Sequence, residues 1–190
     1  MSTFSKAYVR LTNLNEILDE IKKYYIIGKN ETMNEPKSWY YSENGNETMI
    51  LSNNYNKSWC EIELEFNFST YLYDEFLRRL SEKFETVILL GYYQSTIGNG
   101  RIARFCKGRL ELSIAQYYSS YDGFEKIYLT DNFGVSYPIK KEFNIPRLGE
   151  DFNAIDYELI NKFFKNNDLF SDNFKSYEDW SYLHLEKINE

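Results

Sequence analysis

The feature that most constrains the fold is the run TVILLGYY at positions 86–93, eight residues without a charge. A strand with one solvated face alternates polar and apolar side chains, whereas a continuously apolar strand needs cover on both faces. Residues 86–93 therefore predict a central strand. An amphipathic helix is expected just before it, over Tyr71–Phe84, where Leu72, Phe76, Leu80 and Phe84 recur every four residues and Leu77 widens the stripe. Ser69 or Thr70 is its expected cap, and Asp74 and Glu75 suit the positive end of its dipole. After the strand, Ile102–Cys106 and Arg109–Tyr117 predict a hairpin turning at Lys107-Gly108. In that register Phe105 faces Leu110, Ala103 faces Leu112, and Arg104 meets Glu111 on the outer side.

The other elements fit the same architecture. Trp59–Phe68 alternates Ile62, Leu64, Phe66 and Phe68 with Glu61, Glu63 and Glu65, which predicts a strand with one apolar face and one solvated, acidic face. Leu14–Tyr25 reads as a helix capped by Asn13, with Glu16 three residues on. Asn30–Glu35, closing at Pro36, reads as a loop. Short strands are expected near Ser38–Ser42 and Glu47–Leu51 around the turn signal Asn44-Gly45, and another over Phe124–Leu129. Ala154–Lys165 predicts a helix capped by Asn153. Ser176 and Asp179 suggest a last helix from Tyr177, although Tyr182–Leu185 alternates like a strand. Without a repeat or a long linker, the expectation is one α+β domain over residues 1–190. It consists mainly of antiparallel sheet, with an amphipathic helix on one face and a helical C-terminal segment; the acidic part 148–190 packs on the rest.

Composition narrows the function classes. No apolar run approaches the roughly 20 residues that span a bilayer, and Met1–Arg10 lacks the basic-then-apolar pattern of a signal peptide, so a cytoplasmic location is expected. Under reducing conditions Cys60 and Cys106 are expected as free, half-buried small hydrophobes. Charge is placed unevenly: residues 148–190 hold ten acids against four bases, and residues 1–147 hold nineteen against eighteen. Nearly all of the net charge of −7 thus lies in the last quarter, which opposes binding to a polyanion and favours a basic partner. The 18 Tyr, 14 Phe and 3 Trp offer rigid contact area with polar tips.

Four groups of residues bear on chemistry. Gly98-Asn99-Gly100 is followed by a strand, not by the helix a phosphate-binding loop requires, so these glycines read as a bend using positive φ. Arg101, Arg104, Lys107 and Arg109 form a basic hairpin, 101–109, that suits a nucleic-acid- or nucleotide-binding module; a solvated, aggregation-resistant edge is the bland reading. Glu61, Glu63 and Glu65, spaced roughly 7 Å apart, suit either a contact surface or a carboxylate pair. Their similar settings do not supply the divergent acidities catalysis needs. His184, the one histidine, is too few for a histidine metal site and has no nucleophile signature near it. The expectation is a protein that is not an enzyme and holds no cofactor or metal.

The succession of an amphipathic helix ending in Leu80-Ser81, the apolar strand Val87–Tyr93 and a hairpin whose turn glycine, Gly108, is followed by the basic Arg109 resembles a pattern in bacterial immunity-protein families. The resemblance covers about 45 residues, near 70–114. It implies a cytoplasmic bacterial protein that binds and neutralises a cognate toxin domain, a basic protein partner, through protein–protein contact. Nucleic acid and membrane are not expected partners. The residues expected to carry the contact are Glu61, Glu63 and Glu65, together with Asp168, Asp172, Glu178, Asp179 and Trp180 of the acidic tail, where aromatic anchors ringed by charge would slow dissociation.

Overall fold

A computed structural model describes residues 3–11, 13–33, 47–56, 58–64, 73–94, 99–119, 126–131, 155–169 and 180–187. In chain order the elements are β1 (Thr3–Val9), α1 (Leu14–Ile21), β2 (Tyr25–Met33), β3 (Glu47–Asn56), β4 (Trp59–Leu64), α2 (Asp74–Lys83), β5 (Val87–Gln94), β6 (Asn99–Cys106), β7 (Arg109–Ser119), β8 (Lys126–Asp131), α3 (Tyr157–Lys165) and β9 (Trp180–Lys187). The strands form one sheet in the order β2-β9-β3-β4-β1-β5-β6-β7-β8, and every neighbouring pair is antiparallel. This is the expected α+β fold built on antiparallel sheet.

The apolar run becomes β5, buried on both faces between β1 and β6. On one face, α1 and α2 pack Ile17, Ile21, Phe76, Leu77 and Leu80 against Val9, Ile62, Ile88, Leu90 and Phe105. On the other, α3 packs Leu159, Ile160, Phe163 and Phe164 against Tyr8, Leu89, Ile102 and Ile114. The second cover therefore comes from the C-terminal helix. Gly100 makes its close approach possible: a Cβ there would stand 2.8 Å from Ile155 Cγ2. A demand for space explains this glycine, not the positive φ expected of it.

The turn at Lys107-Gly108 forms as expected, with φ of 48° and 79°, the left-handed pair of a two-residue hairpin. Phe105 pairs with Leu110, but a bulge after Arg104 shifts the rest, so Ala103 faces Ser113 and Arg104 faces Leu112. Arg104 still reaches Glu111, at 3.0 Å. The end of α2 and the hairpin turn meet here. Ser81 Oγ donates to Arg78 O at 2.7 Å and accepts from Gly108 N at 3.0 Å, fastening α2 to the hairpin turn.

Several boundaries differ from expectation. Asn13 caps α1 through Asn15 N, but the helix stops at Ile21, because Tyr25-Ile26-Ile27 favours a strand. The expected loop over 30–33 is instead the end of β2, since pairing with β9 supplies a ladder that a polar sequence does not advertise. The cap of α3 is Asp156, which accepts from Leu159 N at 2.8 Å, and the helix begins at Tyr157. The strand expected over Phe124–Leu129 runs Lys126–Asp131. Residues 180–187 are strand, not helix, and β9 enters the sheet between β2 and β3 instead of resting on it. The expected strand Ser38–Ser42, the turn Asn44-Gly45, the caps Ser69, Thr70 and Asn153, and Gly98, Ser176 and Tyr177 lie outside the described residues.

Candidate functional site

The antiparallel register builds two rows across the α3 face of the sheet. One runs Trp180–Ser52–Glu61–Tyr8 and the other Tyr182–Ile50–Glu63–Lys6. With strands about 4.8 Å apart, the backbones of Trp180 and Glu61 lie roughly 10 Å from each other. Two stretches separated by more than a hundred residues in sequence thus lie two strands apart in one sheet. The C-terminal end of α3 borders it. The ring of Phe164 packs edge-on against Tyr8, centroids 4.9 Å apart, and Leu169 joins the same core cluster as Tyr8 and Trp59. Asp168, one residue earlier, is exposed with φ of 61°.

The glutamates are not the uniform solvated row expected. Glu61 is buried, and Lys6 donates to its Oε1 at 2.5 Å; Lys6 also lies 3.6 Å from Glu63 Oε2. The cause is the neighbouring strand: β1 sets a lysine beside both carboxylates, so one ammonium serves two acids. Side-chain exposure is 7% for Glu61 and 36% for Glu63. Burial raises the Glu63 carboxyl above its ordinary range, opposed by Lys6 and reinforced by Glu61. Burial lowers the Lys6 ammonium, but attraction to the two carboxylates outweighs it and leaves Lys6 raised. Among the described residues the cluster holds one ammonium and two carboxylates.

Of the other expected contact residues, Trp180 is the first residue of β9. Glu65, Asp172, Glu178 and Asp179 lie outside the described residues. Sequence reasoning missed Lys6 and Tyr8, although the alternation Lys6-Ala7-Tyr8-Val9-Arg10 marks a strand with a polar and an apolar face.

The basic hairpin is not assembled as a surface. Arg101 is fully buried on the α1/α2 face: Nη1 and Nη2 donate to the two Asp74 oxygens at 2.7 and 2.8 Å, and Nε donates to Ser113 Oγ at 3.0 Å. Its strand position points it inward, and Asp74 at the start of α2 receives it. Arg104 is paired with Glu111, leaving Lys107 and Arg109 as the exposed cations of that hairpin.

Cys60 is buried and not in a disulfide; its Sγ donates to Leu11 O at 3.1 Å, and burial, with a contribution from Glu16, pushes its pKa up to about 11. Cys106 is free and half-buried. His184 lies on β9, in register with Thr48 and Lys29. Among the described residues no cluster of three His, Cys, Asp or Glu is placed to hold a metal ion, and no helix is long and apolar enough to cross a membrane. Compared with models of protein families, with curated proteins and with solved structures, the chain matches none.

Proposed function

We propose that this chain is an immunity-type protein that neutralises a cognate bacterial toxin domain by binding it, and that it transforms no substrate itself. The observation that carries this reading is the cross-strand register that sets Glu61 and Glu63 of β4 two strands from positions 180 and 182 of β9, with the exposed Asp168 following α3, the helix whose Phe164 packs on Tyr8 beside Glu61. A half-exposed carboxylate that shares its lysine with a second acid attracts a cationic side chain. The partner is accordingly a basic protein surface, and attraction to the acidic chain would speed its association.

The test pairs this chain with the product of the adjacent reading frame, measuring growth protection on co-expression and affinity by calorimetry. Protection is expected, together with an association rate that falls as salt rises. Joint reversal, Glu63→Lys with Asp168→Lys, is expected to weaken binding by tenfold or more, roughly the effect of losing two interfacial charge contacts. Undiminished affinity in that variant would refute the contact surface. A toxic neighbour that this chain neither binds nor blocks would refute the function.

A further inference from the structure

We propose that β9 is an insertable strand: it enters and leaves a slot between β2 and β3, and without it those two strands pair directly with each other. The backbone register carries this. β9 is antiparallel to β2 on one side and to β3 on the other, so β2 and β3 run parallel to each other with β9 between them. Positions 180–184 of β9 are each paired on both sides; Glu31, Tyr182 and Ile50 form one rung, and Thr32, Ser181 and Leu51 the next. A strand seated antiparallel between two parallel ones is the geometry by which a sheet takes up an inserted loop.

Both states are closed. Positions on one rung share a face of the sheet, so β2 can step sideways by one strand width, about 4.8 Å, and meet β3 without the one-residue slip that would turn a strand over. Position 31 then lies beside position 50, and 32 beside 51. Residues 34–46 join the two strands, a length that meets the need of parallel neighbours for about a dozen residues or more. Insertion exchanges one parallel ladder for two antiparallel ones, which favours the inserted state. Withdrawal leaves β2 with a partner and costs far less than unfolding the sheet.

The two sides of the slot are held differently. β3 stays with β4 through the pairs Met49–Leu64, Ile50–Glu63, Leu51–Ile62 and Ser52–Glu61. The start of β2 is anchored by Tyr25, buried and edge-on to Phe76 with centroids 6.2 Å apart. Between Ile27 and Lys29 the β2–β9 register is interrupted. That irregularity, at Gly28, divides the anchored start from the segment 29–33 that moves, and it is the pivot.

The experiment traps the withdrawn state in the full chain. In Glu31→Cys/Ile50→Cys the two Cα atoms stand roughly 10 Å apart with β9 inserted and about 4.8 Å apart with β2 beside β3; a disulfide spans roughly 4.4–6.8 Å. Mild oxidation is expected to close this bridge, mapped by mass spectrometry against the native Cys60 and Cys106. Amide exchange in Trp180–Lys187 should then quicken by roughly tenfold or more while Val87–Gln94 keeps its protection. Tyr182→Cys/Ile50→Cys, neighbours in the inserted state, should close as well and lock β9 in place. In the wild-type chain, 180–187 should exchange roughly tenfold or more faster than 87–94. A Glu31/Ile50 bridge that stays open where the Tyr182/Ile50 bridge closes overturns the proposal. So does a bridge that closes as fast in Lys29→Cys/Ser52→Cys, four residues off the rung, because random fraying then brings the strands together. Exchange of 180–187 and 87–94 at one common rate in the wild-type chain overturns it too.

Discussion

Arg101 and Glu61 are both charges buried within the sheet, on opposite faces, and they are neutralised differently. Arg101 meets one carboxylate through both ends of its guanidinium and gives its remaining nitrogen to Ser113, so charge and hydrogen-bond geometry close on themselves. Glu61 shares Lys6 with Glu63, the half-exposed member of the group. The first arrangement ties α2 to β6 and leaves nothing for a ligand. In the second, among the described residues, one lysine is shared by two acids, and under the proposed function an incoming cation would pair with the half-exposed one. The difference separates a charge closed within the architecture from one that the proposed contact would use.

The largest expected effect tests the closed side. Arg101→Ala would strand Asp74 and open a void under α2, and should destabilise the fold by about 3–5 kcal/mol, measured by urea unfolding. Arg101→Met, which fills the space without a charge, should cost much less once Asp74→Asn accompanies it. Equal losses in the single Ala variant and the double variant would mean that the pair itself, not the space it fills, holds α2 in place.

An intermediate effect tests the open side. Glu61→Gln removes the short, buried contact to Lys6 and should cost about 1–3 kcal/mol. Glu63→Gln should change stability little at neutral pH while weakening the partner. Its pH dependence has a definite sign. A carboxyl whose folded pKa is raised binds its proton more readily in the folded state. Stability from Glu63 is therefore gained as pH falls through the raised value towards the ordinary 4.5, and is absent above the raised value. Glu63→Gln should flatten that segment of the stability curve between unfolding midpoints measured at mildly acidic and neutral pH. A wild-type curve that loses stability over the same fall, with the variant unchanged, would reverse the assignment.

These two clusters also mark where the sequence was legible. Local periodicity reads out the β5 run, the stripe of α2, the two-residue turn and the pairing of Phe105 with Leu110. It fails where a distant strand decides. Arg101 looks like one of four cations on a hairpin, and only Asp74, 27 residues earlier, draws it inside. Glu61 looks like Glu63 until β1 brings Lys6 beside it. The position of β9 between β2 and β3 is a long-range pairing that period-two alternation permits but does not specify. The register that sets position 180 two strands from Glu61 follows from that placement, so the sequence offers both residues as candidates without their nearness in the sheet.

The smallest effect is the sharpest way to separate architecture from contact, because two helices pose the same question. Both α2 and α3 end in a Schellman turn. Thr86 N bonds Ser81 O at 3.0 Å and Glu85 N bonds Glu82 O at 3.1 Å; Leu169 N bonds Phe164 O at 3.0 Å and Asp168 N bonds Lys165 O at 3.1 Å. The left-handed position, where glycine fits best, holds Glu85 with φ of 47° in one case and Asp168 with φ of 61° in the other. Each is also an acid at the negative end of a helix dipole. Replacing either by glycine should stabilise the chain by about 0.5–1 kcal/mol, read as a raised unfolding midpoint. The partner distinguishes them. Glu85 closes the helix on the α1/α2 face, away from the proposed contact, and Glu85→Gly should leave toxin affinity unchanged. Asp168 borders the Tyr8–Glu61 patch, and Asp168→Gly should gain stability while losing affinity. Equal affinity in the two variants would make Asp168 one more strained cap and confine the contact to the sheet.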